Sequence, residues 1–235
     1  MPAGGGATAV ENAALFDRLK AAAPALWTAY INPPFVCALA DASLPEACFR
    51  RYLTQDYLFL IHFARAYGLA VFKAESLADI RHAAAGLSAM VDQEMSLHVA
   101  YCRGWRLEEA DMAAAPEDDA TIAYTRFVLE RGLAGDLLDL YVALAPCIVG
   151  YAEIGRTLKG APATRLDGNP YRDWIEMYAS SEYQQVAAAH IVQMDRLMAR
   201  RGGPGRMASL EITFRQATRL EAAFWQMAAA DLSNA

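Results

Sequence analysis

Apolar residues recur along most of this chain at three- and four-residue spacing, the period of a helix with one face turned inward. Leu15, Leu19, Ala22 and Leu26 set that period and predict one helix from Val10 to Tyr30. Asn32-Pro33-Pro34 stops it, because the residue before a proline is pushed out of helical dihedrals. A short helix is expected over Phe35 to Ala40. Ser43-Leu44-Pro45-Glu46 reads as a helix start, with a Ser cap, Pro near the first turn and Glu three residues after the cap. That helix is expected to reach Lys73, and its aromatics (Phe49, Tyr52, Tyr57, Phe59, Phe63, Tyr67) occupy more than one face. A helix apolar on most sides belongs at the centre of a bundle.

The same period predicts a helix from Leu77 to Cys102, then a connector from Glu108 to Pro116. Asp118 and Asp119 are placed to cap a helix over Ala120 to Arg131, which Gly132 and Gly135 are expected to break. Asp136 starts another that reaches Leu158. A loop over Gly160 to Pro170 precedes a short helix at Tyr171 to Tyr178 and a long one from Ser180 to Arg200. Gly202-Gly203-Pro204-Gly205 makes a sharp turn, and Met207 to Ala230 forms the last helix. Strand-like alternation is absent. The expectation is an all-α chain: a Gly-rich disordered tail over residues 1–9, then a single helical domain over 10–232 with about eight to ten helices.

Composition supports the class. Apolar residues make up 55% of the 235, enough for a substantial core, and 15 Gly with 10 Pro are few for an all-β protein of many tight turns. A net charge of −6 argues against nucleic acid as a partner, since phosphate binding needs a basic surface. Arg200, Arg201 and Arg206 read as a solvated interhelical turn. Four cysteines (Cys37, Cys48, Cys102, Cys147) do not suggest a disulfide scaffold. Residues 1 to 10 lack the basic start and apolar core of a signal peptide. Leu140 to Ala152, bounded by Asp139 and Glu153, falls short of the roughly 20 residues of a membrane span. A soluble cytoplasmic protein without a membrane partner is expected.

Three segments could carry chemistry. Pro146-Cys147 sits inside a helical pattern, with Tyr151 one turn on, so thiol and phenol share a face. A thiol becomes a nucleophile when a neighbouring group takes its proton, although from this segment alone a small core cysteine beside a proline kink is the better reading. Asp56 stands in an aromatic helix, where an unpaired carboxylate is costly; it needs a partner on another helix or a ligand. His62 reads as a core histidine. Glu221 lies among Leu220, Phe224 and Trp225, surroundings that would raise its pKa and suit it to proton transfer, unless it is simply an exposed Glu of an amphipathic helix. Glu94 and His98, four apart, read as a hydrogen-bonded pair, since a di-metal site would need more carboxylate and His partners than the sequence offers. No metal and no cofactor are expected.

Taken together, Gln55-Asp56 with His62-Phe63-Ala64, Glu94-Met95 with Leu97-His98, Pro146-Cys147 with Tyr151 and Glu153-Ile154-Gly155, Trp174-Ile175 with Tyr178, and Glu221 with Phe224-Trp225 resemble the TenA family, or thiaminase II, of the heme-oxygenase-like helical fold. The resemblance spans residues 12 to 230. It implies a small-molecule substrate, the 4-amino-2-methylpyrimidine moiety of thiamin or of its breakdown products, and an aminopyrimidine aminohydrolase of thiamin salvage. Cys147 would be the nucleophile, Glu221 the acid–base that protonates the departing amine, and Asp56 the carboxylate that binds the amino-pyrimidine edge and helps the thiol lose its proton. Tyr124, Tyr151 and Tyr178 would line the pocket and Phe224 would pack on the ring. Phe59 stands where close relatives carry a second tyrosine, removing a hydroxyl that could meet Glu221. The resemblance also implies a homotetramer. A pyrimidine-binding or regulatory protein with little catalysis, and a metal-dependent oxygenase of the same fold, are the competing readings.

Overall fold

A computed structural model describes residues 13–230, apart from the side chain of Gln93. The expected tail at residues 1–9, the helix start at Val10 and the domain's last residues lie outside the described range. Among the described residues there are twelve α-helices, one π-helical segment and no strand. The chain is all-α, as its periodicity predicts, with more and shorter helices than expected.

The expected first helix is two. α1 spans Leu15–Ala21 and α2 spans Pro24–Ile31, because Pro24 has no N–H to continue α1 and instead opens α2. α3 covers Pro34–Ala40. α4 spans Glu46–Lys73, but Pro45 occupies the cap position and Ser43 does not cap. The Ser43 N–H instead donates to the Asp41 carboxylate at 2.9 Å. The next expected helix is interrupted: α5 spans Leu77–Ala89, a π segment Met90–Glu94, and α6 Met95–Gly104. Each π turn adds a residue and rotates the downstream side chains by about 100° relative to an unbroken helix. The connector after α6 holds α7 (Glu109–Ala113), closed by a capping box between Glu108 and Asp111.

α8 runs Asp119–Ala134. Asp118 sits at its cap without bonding it; its carboxylate pairs with Arg51 at 3.1 Å. Gly132 does not break α8. It is buried, and a Cβ there would meet Leu69 and Leu140, so the glycine lets three helices approach closely. Gly135 ends the helix. α9 (Leu137–Gly160) starts on a capping box between Asp136 and Asp139 and continues through Pro146. α10 is Arg172–Tyr178, α11 Ser181–Arg201 capped by Ser180, and α12 Arg206–Ala228 after a left-handed Gly205.

α9 is the centre of the molecule. It packs against α8, α10, α11 and α12, with α4 also touching it. It is longer than the apolar stretch expected from sequence and apolar enough to cross a membrane, but 94% of its most apolar window is buried inside the protein, as in a core helix. Its neighbours form a shell: α4 lies against α5, α8 and α12, and α12 against α2 and α8. The arginine turn is not merely solvated. Arg200 pairs with Asp79 at 2.9 Å, Arg201 with Glu75 at 2.7 Å, and Arg206 with both Asp136 and Asp139, pinning the α11–α12 turn to α5 and α9.

Candidate active site

The eight residues singled out from sequence come from five helices: Asp56 and Phe59 from α4, Tyr124 from α8, Cys147 and Tyr151 from α9, Tyr178 from α10, and Glu221 and Phe224 from α12. All eight are buried, Cys147 being the most exposed at 6%. The thiol of Cys147 is hydrogen-bonded to Glu221 and feels the charges of Glu94 and Asp56 as well. Tyr124 donates to Glu221 Oε1 at 2.9 Å. Glu221 is therefore not the exposed face of an amphipathic helix; it is 1% exposed and shared between a phenol and a thiol.

Asp56 has the partner its burial demands. His98 Nε2 lies 2.6 Å from its Oδ2, and His98 Nδ1 lies 2.8 Å from the Glu94 carbonyl oxygen. This differs from the expected Glu94–His98 side-chain pair. The Glu94 carboxylate accepts instead from Tyr178 at 2.5 Å. Both ring nitrogens of His98 are occupied, which leaves it no lone pair for a metal. Burial alone would lower the pKa of His98, but the Asp56 carboxylate and Glu94 together outweigh it and the net shift is upward, toward the imidazolium. His62 is not in the core: it is half-buried and pairs with Glu117 at 2.7 Å.

Aromatic rings wall the site. Tyr151 stacks on Trp225 with centroids 5.3 Å apart and tilts against Tyr178 at 4.9 Å. Phe59 lies 5.0 Å from Tyr124 and 5.7 Å from Phe224. With Phe59 lacking a hydroxyl, the phenol that meets Glu221 is Tyr124. Trp174 donates its indole N–H to the Tyr52 hydroxyl at 3.2 Å, and Tyr52 in turn faces Phe224 edge-on.

One residue of the site, Tyr30, and the partner of another, Glu94, are not apparent from the sequence pattern. Tyr30, from α2, donates to the Pro146 carbonyl at 2.9 Å and crosses α9 at Gly150, where a Cβ would collide with the ring. Nothing local marks it. Glu94 stands out as an acidic residue, but only the π segment reveals that its side chain leaves His98 and turns to Tyr178.

Electrostatics follow from burial. The Cys147 thiol is pushed well above its ordinary range by burial and by the charges of Glu221, Glu94 and Asp56, so it rests protonated. Burial raises Glu221 to about 8 and Glu94 to about 7. A carboxyl that titrates near neutrality, hydrogen-bonded to a thiol, can accept and return a proton at working pH. The group in contact with the thiol is Glu221, while Asp56 is held by His98 and acts on the thiol through its charge.

A model of the TENA/THI-4/PQQC family matches residues 20–231. An aminopyrimidine aminohydrolase of Halalkalibacterium halodurans is 36% identical over 203 residues, covering 86% of this chain and 90% of that one. An uncharacterized protein of Haemophilus influenzae is 41% identical over 213 residues, 91% of this chain and 98% of its own. Among solved structures, one described as a TenA family transcription regulator from Silicibacter is similar at TM-score 0.86 and 42% identity, over 91% of this chain and 96% of that one. A Shewanella denitrificans domain with a heme oxygenase-like fold shares the architecture at TM-score 0.70 and 14% identity, covering 93% of each chain. The fold is thus heme-oxygenase-like, and with aminohydrolases as relatives over most of its length the chain is a hydrolase. Matched from residue 20 almost to its end, the chain belongs to the TENA/THI-4/PQQC family.

Proposed function

We propose that this hydrolase acts in thiamin salvage, converting 4-amino-5-aminomethyl-2-methylpyrimidine to its hydroxymethyl product, and that Cys147 is the nucleophile. The observation that carries this reading is the buried thiol hydrogen-bonded to Glu221 within an aromatic enclosure that also holds Asp56. A flat heteroaromatic ring suits such walls, with a few fixed polar groups to orient it. Names of relatives agree, three of them being aminopyrimidine aminohydrolases.

In the proposed reaction Cys147 Sγ bonds to a ring carbon while its proton passes to Glu221. The electron pair pushed into the ring expels the amine from the methylene, and Glu221 returns the proton to the departing nitrogen, releasing ammonia. Water then adds at the methylene. Its proton goes through Glu221 to the sulfur as the C–S bond breaks and the aromatic ring is restored. Asp56, braced by His98, would bind the amino edge of the pyrimidine, and Phe224, Phe59, Tyr124, Tyr151 and Tyr178 would enclose the ring. Thiamin would react through the same thiol adduct, but its thiazolium leaves as neutral thiazole and takes no proton, so one proton is released to water per turnover. The cytoplasm is the expected compartment for such chemistry.

The test is incubation of the purified protein with the aminomethyl pyrimidine, measuring the hydroxymethyl product and ammonia in equal amounts. Tight binding of the hydroxymethyl product without any turnover would instead favour a pyrimidine-binding or regulatory protein, the reading that Phe59 and the regulator-named relative support.

A further inference from the structure

Three carboxyls are buried in the site, and one of them has a histidine. Glu94 is bonded by the Tyr178 phenol, and Glu221 by the Tyr124 phenol and the Cys147 thiol. Asp56 differs. Among the described residues the one hydrogen bond that reaches its carboxylate comes from His98, whose side chain is fully buried.

Both nitrogens of that ring face acceptors. Nε2 lies 2.6 Å from Asp56 Oδ2, and Nδ1 lies 2.8 Å from the Glu94 carbonyl oxygen. A backbone carbonyl has no proton to give, so Nδ1 carries a hydrogen. Neutral imidazole has only one N–H, and two bare lone pairs would repel at 2.6 Å, so a further proton lies between Nε2 and Oδ2. Imidazole is the stronger base, with an ordinary pKa of about 6.5 against about 3.9 for an aspartic acid. That proton belongs to the ring, and the Glu94 carboxylate adds to the pull on it. Tyr52 of α4 also faces the ring, with centroids 6.3 Å apart. Beyond Asp56, Cys147 on α9, Tyr178 on α10 and Glu221 on α12 all feel its charge. The imidazolium is the one cation of this set.

We propose that His98 is a positioning residue that stays an imidazolium through neutral pH and holds Asp56 as an acceptor-only carboxylate, so that the site selects an amino group over a carbonyl at the ring edge it binds. The selection rests on the pyrimidine reading above; the charge on His98 does not. A 4-amino group donates to the carboxylate, whereas a 4-oxo group sets oxygen against oxygen and leaves buried polar groups unpaired. Without the cation Asp56 would be a third acid like Glu94 and Glu221, which burial raises to about 7 and about 8. It would then take up a proton near neutral pH and donate to a carbonyl as readily as it accepts from an amine.

Nitrogen-15 NMR of histidine-labelled wild type at about pH 7.5 reads the ring directly. The chain has four histidines, and burial shifts His62, His82 and His190 below the ordinary value, so those three are neutral there. One ring with both nitrogens protonated is expected, and Asp56→Asn should abolish it. Four neutral rings in wild type, or a doubly protonated ring that survives Asp56→Asn, overturns the proposal. The second arm measures Ki for the hydroxymethyl product and for its 4-oxo analogue at about pH 6 and about pH 7.5. It compares wild type with His98→Gln, which keeps an N–H for Asp56 and removes the charge. Wild type should favour the amino ligand at both pH values. In the variant that preference should shrink about tenfold at the lower pH, the scale of one charge-assisted hydrogen bond; a preference equal to wild type at both overturns the positioning role. Should the variant not fold, the ring signals of wild type and Asp56→Asn decide alone. Wild type that binds neither ligand sinks the selection together with the pyrimidine reading, while the ring signals still decide the charge.

Discussion

Cys147 is paired with an acid that shares its proton. Burial and three nearby carboxyls hold the thiol protonated, so in the proposed reaction the reactive form is the one in which thiol and Glu221 together carry a single proton. Glu221 must first lose its own proton, with a pKa of about 8. The predicted kcat/KM therefore rises with pH, with unit slope below about 8, and then levels; Glu221→Gln should remove this limb together with most of the activity. The same residue costs stability. Its folded pKa lies above the ordinary 4.5, so the folded state holds the proton more tightly and loses stability as pH rises from 4.5 through about 8. Glu221→Gln should thus gain in Tm over wild type progressively across that window, each kcal/mol being worth about 2–4 °C at this size. Thermal melts on either side of the window, at about pH 5 and about pH 9, check it; an advantage that shrinks with pH would contradict the assignment. Cys147, Asp56 and Glu221 were legible as polar residues in apolar helices. Glu94 was legible as half of a Glu–His pair, but its partner Tyr178 was not, because Glu94 sits in a π turn that the periodicity does not reveal.

Among the elements, α9 carries the thiol, and glycines set how closely its neighbours approach. At Gly150 a Cβ would strike the ring of Tyr30, which is fully buried and fixed by its bond to the Pro146 carbonyl. At Gly155 a Cβ would lie 2.5 Å from the Tyr178 backbone. Overpacking of this kind costs about 1–3 kcal/mol. Gly150→Ala should lower Tm and, by shifting Tyr30 beside the site, lower kcat; Gly155→Ala should do the same through Tyr178. Circular dichroism melts and steady-state rates test both, and a Gly150→Ala protein equal to wild type in both would refute the packing account. Helix identity was mostly readable from the apolar period. The failures share one cause: Pro24, Gly132 and the π segment act through backbone hydrogen bonds and interhelical spacing, to which a count of apolar positions is blind.

For the whole molecule, the buried apolar α9 is the core helix of a globular enzyme. The family resemblance implies a homotetramer, and we extend it as a proposal to this chain. Phe72, 85% exposed, and Leu133, 68% exposed, lie at helix ends that Lys73 ties together through the Leu133 and Gly135 carbonyls. Exposed apolar side chains that join into one contiguous patch mark interfaces. Phe72→Glu should shift sedimentation toward smaller species, and an unchanged tetramer would place the interface elsewhere. No sequence period could have located this surface, because exposure depends on which helices happen to cover which faces.

The central claim is that a thiol performs the chemistry, and it is tested most directly by replacing that thiol. Cys147→Ala and Cys147→Ser, assayed with 4-amino-5-aminomethyl-2-methylpyrimidine beside an active wild type, should retain less than about a thousandth of kcat while melting near the wild-type temperature. A Cys147→Ala protein that turns over the substrate at a comparable rate would contradict the account.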